Sequence, residues 1–177
     1  LGYDGVMLVA KRPHVSPHDY DEAARKKLRE KINSLGLELV CLAGYTDFTA
    51  GVDKPGIPNV EIQASYVGEI AKLAHDLGTN MVRIFTGYER DGVKFDQQWA
   101  MVVEGLQLAG KKAAEWGVTL AVQNHHDIAL HHETMKWLME EVNMPNVKVG
   151  WDAWAPTLQG LSPDEIRQSI HTLKPYI

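Results

Sequence analysis

Four short apolar runs along the chain are entered by the same punctuation, an apolar residue followed by glycine. Leu1-Gly2 precedes residues 5–10, Leu35-Gly36 precedes 37–42, Leu77-Gly78 precedes 80–85, and Trp116-Gly117 precedes 118–122. A glycine just past a helix end adopts the left-handed C′ conformation at least cost, so each pair marks a helix stopping and a strand beginning. Between the runs the period changes. Residues 19–35 are rich in Ala, Leu, Lys and Arg, with Ser16-Pro17 supplying a cap and a first-turn proline. Residues 60–77 place Ile62, Tyr66, Ile70, Leu73, Ala74 and Leu77 mostly three or four apart, the spacing of a helix buried along one face. Residues 95–116 repeat this with Met101, Leu106, Leu108 and Ala109. A shorter helix is expected over 132–142, ended by Asn143-Met144-Pro145-Asn146, and a fifth strand over 147–152. Ser162-Pro163-Asp164-Glu165 then combines an N-cap, an N1 proline and a capping-box Glu, which starts a last helix running to about Leu173.

Strands alternating with helices call for a parallel sheet, because parallel neighbours need helical crossovers. An open, nucleotide-binding sheet would carry a glycine-rich loop after a strand, and no G-x-G-x-x-G or Walker pattern occurs. Polar residues instead follow every strand: Arg12 and His14; Tyr45 and Asp47; Thr86, with Arg83 inside its strand; Gln123 to Asp127; Asp152 and Trp154. Contributions from many strand ends are the habit of the (β/α)8 TIM barrel, which usually needs ~250 residues. The chain therefore reads as a single α/β domain over residues 1–177, an incomplete barrel of about five βα units that lacks the first unit and the last two. One connection, residues 43–59, is longer than most α/β loops and carries Gly44, Gly51, Pro55, Gly56 and Pro58; it reads equally as a lid or as an ordered surface loop.

Composition narrows the partners. A formal charge of −5 and a pI near 5.9 argue against a nucleic-acid partner, which normally requires a clustered basic surface. Lys26, Lys27, Arg29 and Lys31 lie at helical spacing beside acids and read as a solvated helix face. The single cysteine, Cys41, sits inside an apolar run; it can form no internal disulfide and reads as a buried thiol in a reducing compartment, with the cytoplasm as the simplest address. No apolar stretch approaches the ~20 residues of a membrane span, so no membrane partner is expected. An unclosed sheet leaves two hydrogen-bonding edges, which favours association into a homo-oligomer.

The candidate chemistry gathers where the fourth apolar run turns abruptly into Gln123-Asn124-His125-His126-Asp127. His125 lies two residues beyond Gln123 and shares its face if the strand continues, a placement for substrate contact or proton transfer or for a satisfied core histidine; His126 is a further contact candidate. Asp152 ends an apolar strand, where an uncompensated carboxylate is costly to bury, and so reads as a metal ligand or a hydrogen-bonded structural Asp. Arg83 has the fork that anchors a sugar oxygen or a phosphate. His14 offers another pocket edge, and Trp154 a surface for stacking on a sugar ring or for packing between barrel and helices. His131-His132 shows no established ligand spacing with His125-His126 and suits a helix start.

At Gly2-Tyr3-Asp4-Gly5-Val6, Val82-Arg83-Ile84-Phe85, Leu120-Ala121-Val122-Gln123-Asn124-His125 and Val149-Gly150-Trp151-Asp152-Ala153 the chain resembles the xylose-isomerase-like TIM barrels, and more narrowly the sugar phosphate isomerases/epimerases, over strands two to six of eight. The resemblance implies a divalent metal ion, manganese, magnesium, cobalt or zinc, held by a Glu position that falls on Gln123 and an Asp position that falls on Asp152. The family's remaining ligands, a His and a Glu, would lie beyond Ile177. Gln123 departs from the pattern: an amide oxygen still coordinates a hard cation, but it brings no charge and accepts no proton at neutral pH. That argues against epimerisation by two metal-bound carboxylates and leaves one-base isomerisation, β-elimination or dehydration next to a carbonyl. A second departure is Ala155, where many relatives carry a substrate-contacting His. The expected function is a metal-dependent isomerase, epimerase or related lyase acting on a sugar or sugar-like polyol. The alternatives are a non-catalytic carbohydrate-binding barrel and a zinc-dependent nuclease of the apurinic endonuclease kind.

Overall fold

The structure is a computed structural model and describes residues 2–125 and 128–177. Its strands are β1 (Gly5–Val9), β2 (Glu38–Ala43), β3 (Met81–Ile84), β4 (Thr119–Gln123) and β5 (Val147–Gly150). Helices α1 (Glu22–Ser34), α2 (Asn59–Leu77), α3 (Phe95–Ala114) and α4 (His132–Val142) connect them, and α5 (Trp154–Leu158) and α6 (Pro163–Leu173) follow β5. The strands form one parallel sheet in strict chain order, β1-β2-β3-β4-β5. A doubly wound sheet reverses its strand order at a switch point, and no reversal occurs here. Right-handed crossovers that never reverse keep their helices on one face, which makes the sheet an arc of barrel wall.

The core lies between that wall and the helices. Leu42, Val82, Ile84, Leu120 and Val122 are fully buried on the helix side. Residues alternating with them, such as Arg83 and Gln123, therefore face the concave side. Gly36, Gly78 and Gly117 follow α1, α2 and α3 with φ of 68°, 92° and 66°, the left-handed conformation expected of them. The last helix also starts as its sequence specifies: the Ser162 side chain accepts from Glu165 N while Glu165 accepts from Ser162 N, a complete capping box with Pro163 in the first turn.

Three local expectations need correction. The first helix begins at Glu22, not near Asp19, because Asp21 is its N-cap, accepting from Ala24 N at 2.8 Å. Ser16 is instead buried in the preceding loop, where the Pro17 carbonyl accepts from Arg25. Ile62 is 54% exposed; α2 buries Val60, Ala64, Val67 and Ala71 together with Ile70, Leu73, Ala74 and Leu77, since small residues let it approach its neighbours closely. Similarly, α3 buries Val102, Val103, Leu106, Ala109 and Ala113, with Met101 and Leu108 only partly covered. The long loop over 43–59 is anchored at its start: Phe48 and Thr49 are fully buried, and Phe48 packs where Gly105 leaves room, a Cβ there falling 2.2 Å from the ring. Cys41 is buried as expected.

Candidate functional site

A cleft of about 380 Å³ opens at the carboxyl ends of the strands on the concave face. Strand alternation builds it. Val82 and Ile84 of β3, and Leu120 and Val122 of β4, point into the helix layer, so Arg83 and Gln123 turn the other way and line the cleft. His125 falls two residues beyond Gln123 and lines it too, as the period of two predicts. Its ring meets Phe85 edge to face at 5.0 Å. Met7 of β1 forms part of the floor, and the loops after β2 and β3 supply Tyr45, Thr46 and Tyr88 as walls.

One end of the site is an amide and carboxylate pair pinned across β4 and β5. Gln123 Nε2 donates to Asp152 Oδ2 at 2.7 Å, and Asp152 Oδ1 accepts from Trp154 N at 2.9 Å. Asn124, alternating away from the cleft and only 3% exposed, clamps the Asp152 backbone from both sides: its Nδ2 donates to Asp152 O at 2.9 Å and its Oδ1 accepts from Asp152 N at 2.7 Å. A buried amide with neither partner would cost ~1–3 kcal/mol, so this reciprocal pair fixes where Asp152 stands.

The other end is cationic and aromatic. The Arg83 guanidinium sits in the corner between Tyr45 and Phe85, 4.9 and 4.1 Å from their centroids, and its Nη1 donates to Gly44 O at 3.2 Å. Those two rings meet edge to face at 5.6 Å, and Lys11 Nζ lies 3.9 Å from the centroid of Tyr45. Thr46, Asp47 and Thr49 stitch the walls together. Thr46 Oγ1 donates to Phe85 O and accepts from Phe85 N. Asp47 accepts from Tyr88 N at 3.2 Å and pairs with Arg90, while Thr49 Oγ1 donates to Tyr88 O at 2.5 Å. Gln98, fully buried, holds the same stretch from below through Arg90 N, Arg90 O and Val93 O.

The structure therefore brings Gln123, His125 and Arg83 to line one cleft, with Asp152 hydrogen-bonded to Gln123 behind that lining. It does not bring the other candidates there. Trp154 is 64% exposed at the start of α5, and His14 is exposed in the turn after β1; neither lines the cleft. His126 and Asp127 lie outside the described residues. His131 caps α4, accepting from Glu133 N, and stacks on His132 at 4.2 Å, where burial holds the His132 imidazole below its usual pKa. Asn124, grouped on sequence with the residues facing the site, is corrected: standing between two cleft-facing residues, it points into the protein and finds its partners there. Phe85 and Tyr88 are lining residues that sequence reasoning did not single out for these roles.

As a cation site, Asp152 offers a carboxylate and Gln123 an amide oxygen, the donor chemistry of a hard divalent ion, which takes six or more oxygens, although the Gln123 atom that meets Asp152 is Nε2 and an ion would need the amide turned. They fit such an ion as part of a set. Among the described residues no cluster of three His, Cys, Asp or Glu side chains completes one.

The sequence pattern of xylose isomerase-like TIM barrels matches residues 1–174. No curated protein matches the chain. Among solved structures it is similar to a xylose isomerase domain protein from Planctomyces limnophilus, with 16% identity and a TM-score of 0.75, covering 98% of this chain and 61% of that one. It is also similar to the probable 3-DHS dehydratase of petrobactin synthesis from Bacillus anthracis, with 19% identity and a TM-score of 0.78 over 99% and 61% of the two chains. D-psicose 3-epimerase from Clostridium cellulolyticum, crystallised with D-tagatose, gives 18% identity and 0.78 over the same shares. The chain thus spans about three fifths of the length of these proteins.

Proposed function

The chain belongs to the xylose isomerase-like TIM barrel family, and on that premise we propose that it forms the greater part of an enzyme that isomerises, epimerises or dehydrates a sugar or sugar-like polyol by moving a proton next to a carbonyl. The observation that carries this reading is the pinned Gln123–Asp152 contact beside a cleft that also holds His125. Epimerases and a dehydratase among proteins of the same fold support it, each for its own substrate.

Gln123 and Asp152 are the residues that would hold a divalent ion, together with donors from the rest of the barrel. When bound, such an ion polarises a substrate carbonyl and so acidifies the neighbouring C–H. Asp152 orients the pair through its fixed backbone, and Gln123, an amide, contributes an oxygen but takes no proton. His125 is then the group on this wall that accepts the proton, since imidazole suits proton transfer at neutral pH. The edge contact with Phe85 helps to hold its ring.

Loss of a C–H proton to solvent is the step to watch. The full-length protein, incubated in heavy water with a divalent ion and a panel of keto sugars, should exchange deuterium at one carbon next to the carbonyl, read by NMR. Binding without exchange for every ligand found would favour the second reading, a carbohydrate-binding barrel without turnover, to which the uncharged amide at position 123 lends support.

A further inference from the structure

Of the chain's 18 lysines and arginines, Arg12, Arg25, Lys72, Arg90 and Arg167 sit in ion pairs among the described residues. Arg83 and Lys11 are among those with no carboxylate within ion-pair distance there. Both instead address the same ring, Tyr45, from which the guanidinium carbon stands 4.9 Å and the ammonium 3.9 Å. Arg83 is built to stay there. It rests in the corner of Tyr45 and Phe85, and its bond to Gly44 O engages only Nη1, leaving the other N–H groups of its side chain without a partner among the described residues. A guanidinium has five N–H donors and no acceptor, so a planar acceptor fits its fork.

We propose that the substrate of this cleft is an anion, a polyhydroxy carboxylate whose carboxylate docks on Arg83 with Lys11 beside it. The inference rests on the cleft being the substrate site proposed above, and adds the substrate class. The polyol part then runs toward β4 and β5, where Gln123 and Asp152 take its oxygens. Arg83 leans toward β2, so the two ends lie one to two strand spacings apart, about 5–10 Å, the span of a short polyol chain. Carboxylate fits better than phosphate because the site offers one planar fork. No residue of a helix's first turn lines the cleft, whereas phosphate sites commonly gather backbone N–H groups at a helix N-terminus.

The test is calorimetric titration of the full-length protein with three probes on one carbon skeleton: D-fructose, 2-keto-D-gluconate and fructose 6-phosphate. Each is run on the wild type, Arg83→Gln and Arg83→Lys. The keto acid should bind about thirtyfold more tightly than the neutral ketose, with a preference that weakens in salt. Arg83→Gln should erase that preference, with an unchanged circular dichroism spectrum showing that the variant is folded; Arg83→Lys should keep a small part of it. Equal affinity for ketose and keto acid, or a preference that survives Arg83→Gln, overturns the proposal and leaves the isomerase reading standing. Tighter binding of the phosphate, lost in Arg83→Gln, overturns the carboxylate assignment in favour of a sugar phosphate. Carboxylate binding without any C–H exchange keeps the anion site and sinks the catalytic reading, and no binding of any probe sinks both.

Discussion

The two halves of the cleft are built by different means. On the β4–β5 side, Gln123, Asn124 and Asp152 belong to strand ends or the residues just past them, and three hydrogen bonds of 2.7–2.9 Å tie them together. On the β1–β3 side, Tyr45 and Tyr88 stand on long connections, and Phe85 follows β3 directly. They keep their places through Thr46, Asp47, Thr49 and the buried Gln98. The first half is rigid because the sheet is rigid, and reacting groups need placement within a fraction of an ångström. The second is a set of loops stitched to one another, the construction that lets a fold keep its chemistry and change its ligand. On the proposed reading, the difference puts proton transfer on the strand side and recognition on the loop side.

That division is broken most severely at His125. His125→Asn should lower kcat by about 10²–10⁴, the range for losing a general base, with the affinity for ligands of the Arg83 side little changed; a loss confined to KM would move His125 to the recognition half. Next comes Asn124→Ala, which orphans Asp152 N and O in a buried setting. It should cost about 2–3 kcal/mol in chemical denaturation and loosen a bound divalent ion by about tenfold or more, as supporting groups do. Asp47→Asn, on the loop side, removes the ion pair with Arg90. It should cost about 1 kcal/mol and raise KM with kcat nearly unchanged. An equal loss in kcat would erase the distinction.

The last test addresses the frame outside both halves and should leave activity untouched. Partial burial pushes the Asp76 carboxyl up, but hydrogen bonds from Lys72, Arg25 and His75 outweigh it and hold the pKa at about 2, below 3.8. A depressed acid stabilises the fold fully above its unfolded value and loses that contribution as pH falls through the folded one. Asp76 should therefore contribute about 1–2 kcal/mol near neutrality, fading between about pH 4 and pH 2, and Asp76→Asn should flatten that part of the pH–stability curve. The cleft should be indifferent to the change.

How much of this was legible follows the range of the forces. Gly36, Gly78 and Gly117 marked helix ends, and Ser162 to Glu165 marked a helix start, because caps are local chemistry. Period-two alternation put Gln123 and His125 on one face, while for Arg83 it left the barrel interior and the helix side both open, and the fold turns it into the cleft. The Asn124 clamp was hidden because its partner is 28 residues away and becomes a neighbour only through the pairing of β4 with β5. Tyr88 was hidden for the same reason: its loop carries no period, and its position depends on Asp47 and Thr49 reaching across 39–41 residues. Ile62 misled because large apolar side chains dominate a helical stripe on paper, whereas small ones set how closely helices pack.

The claim on which the rest depends is that Gln123 and Asp152 hold a divalent ion, and elemental analysis of the full-length protein beside Asp152→Ala addresses it directly. The account predicts about one manganese, cobalt, magnesium or zinc ion per chain, lost in Asp152→Ala while the fold persists by circular dichroism. No ion in the wild type after incubation with each of the four, or an ion retained in full by Asp152→Ala, would contradict it.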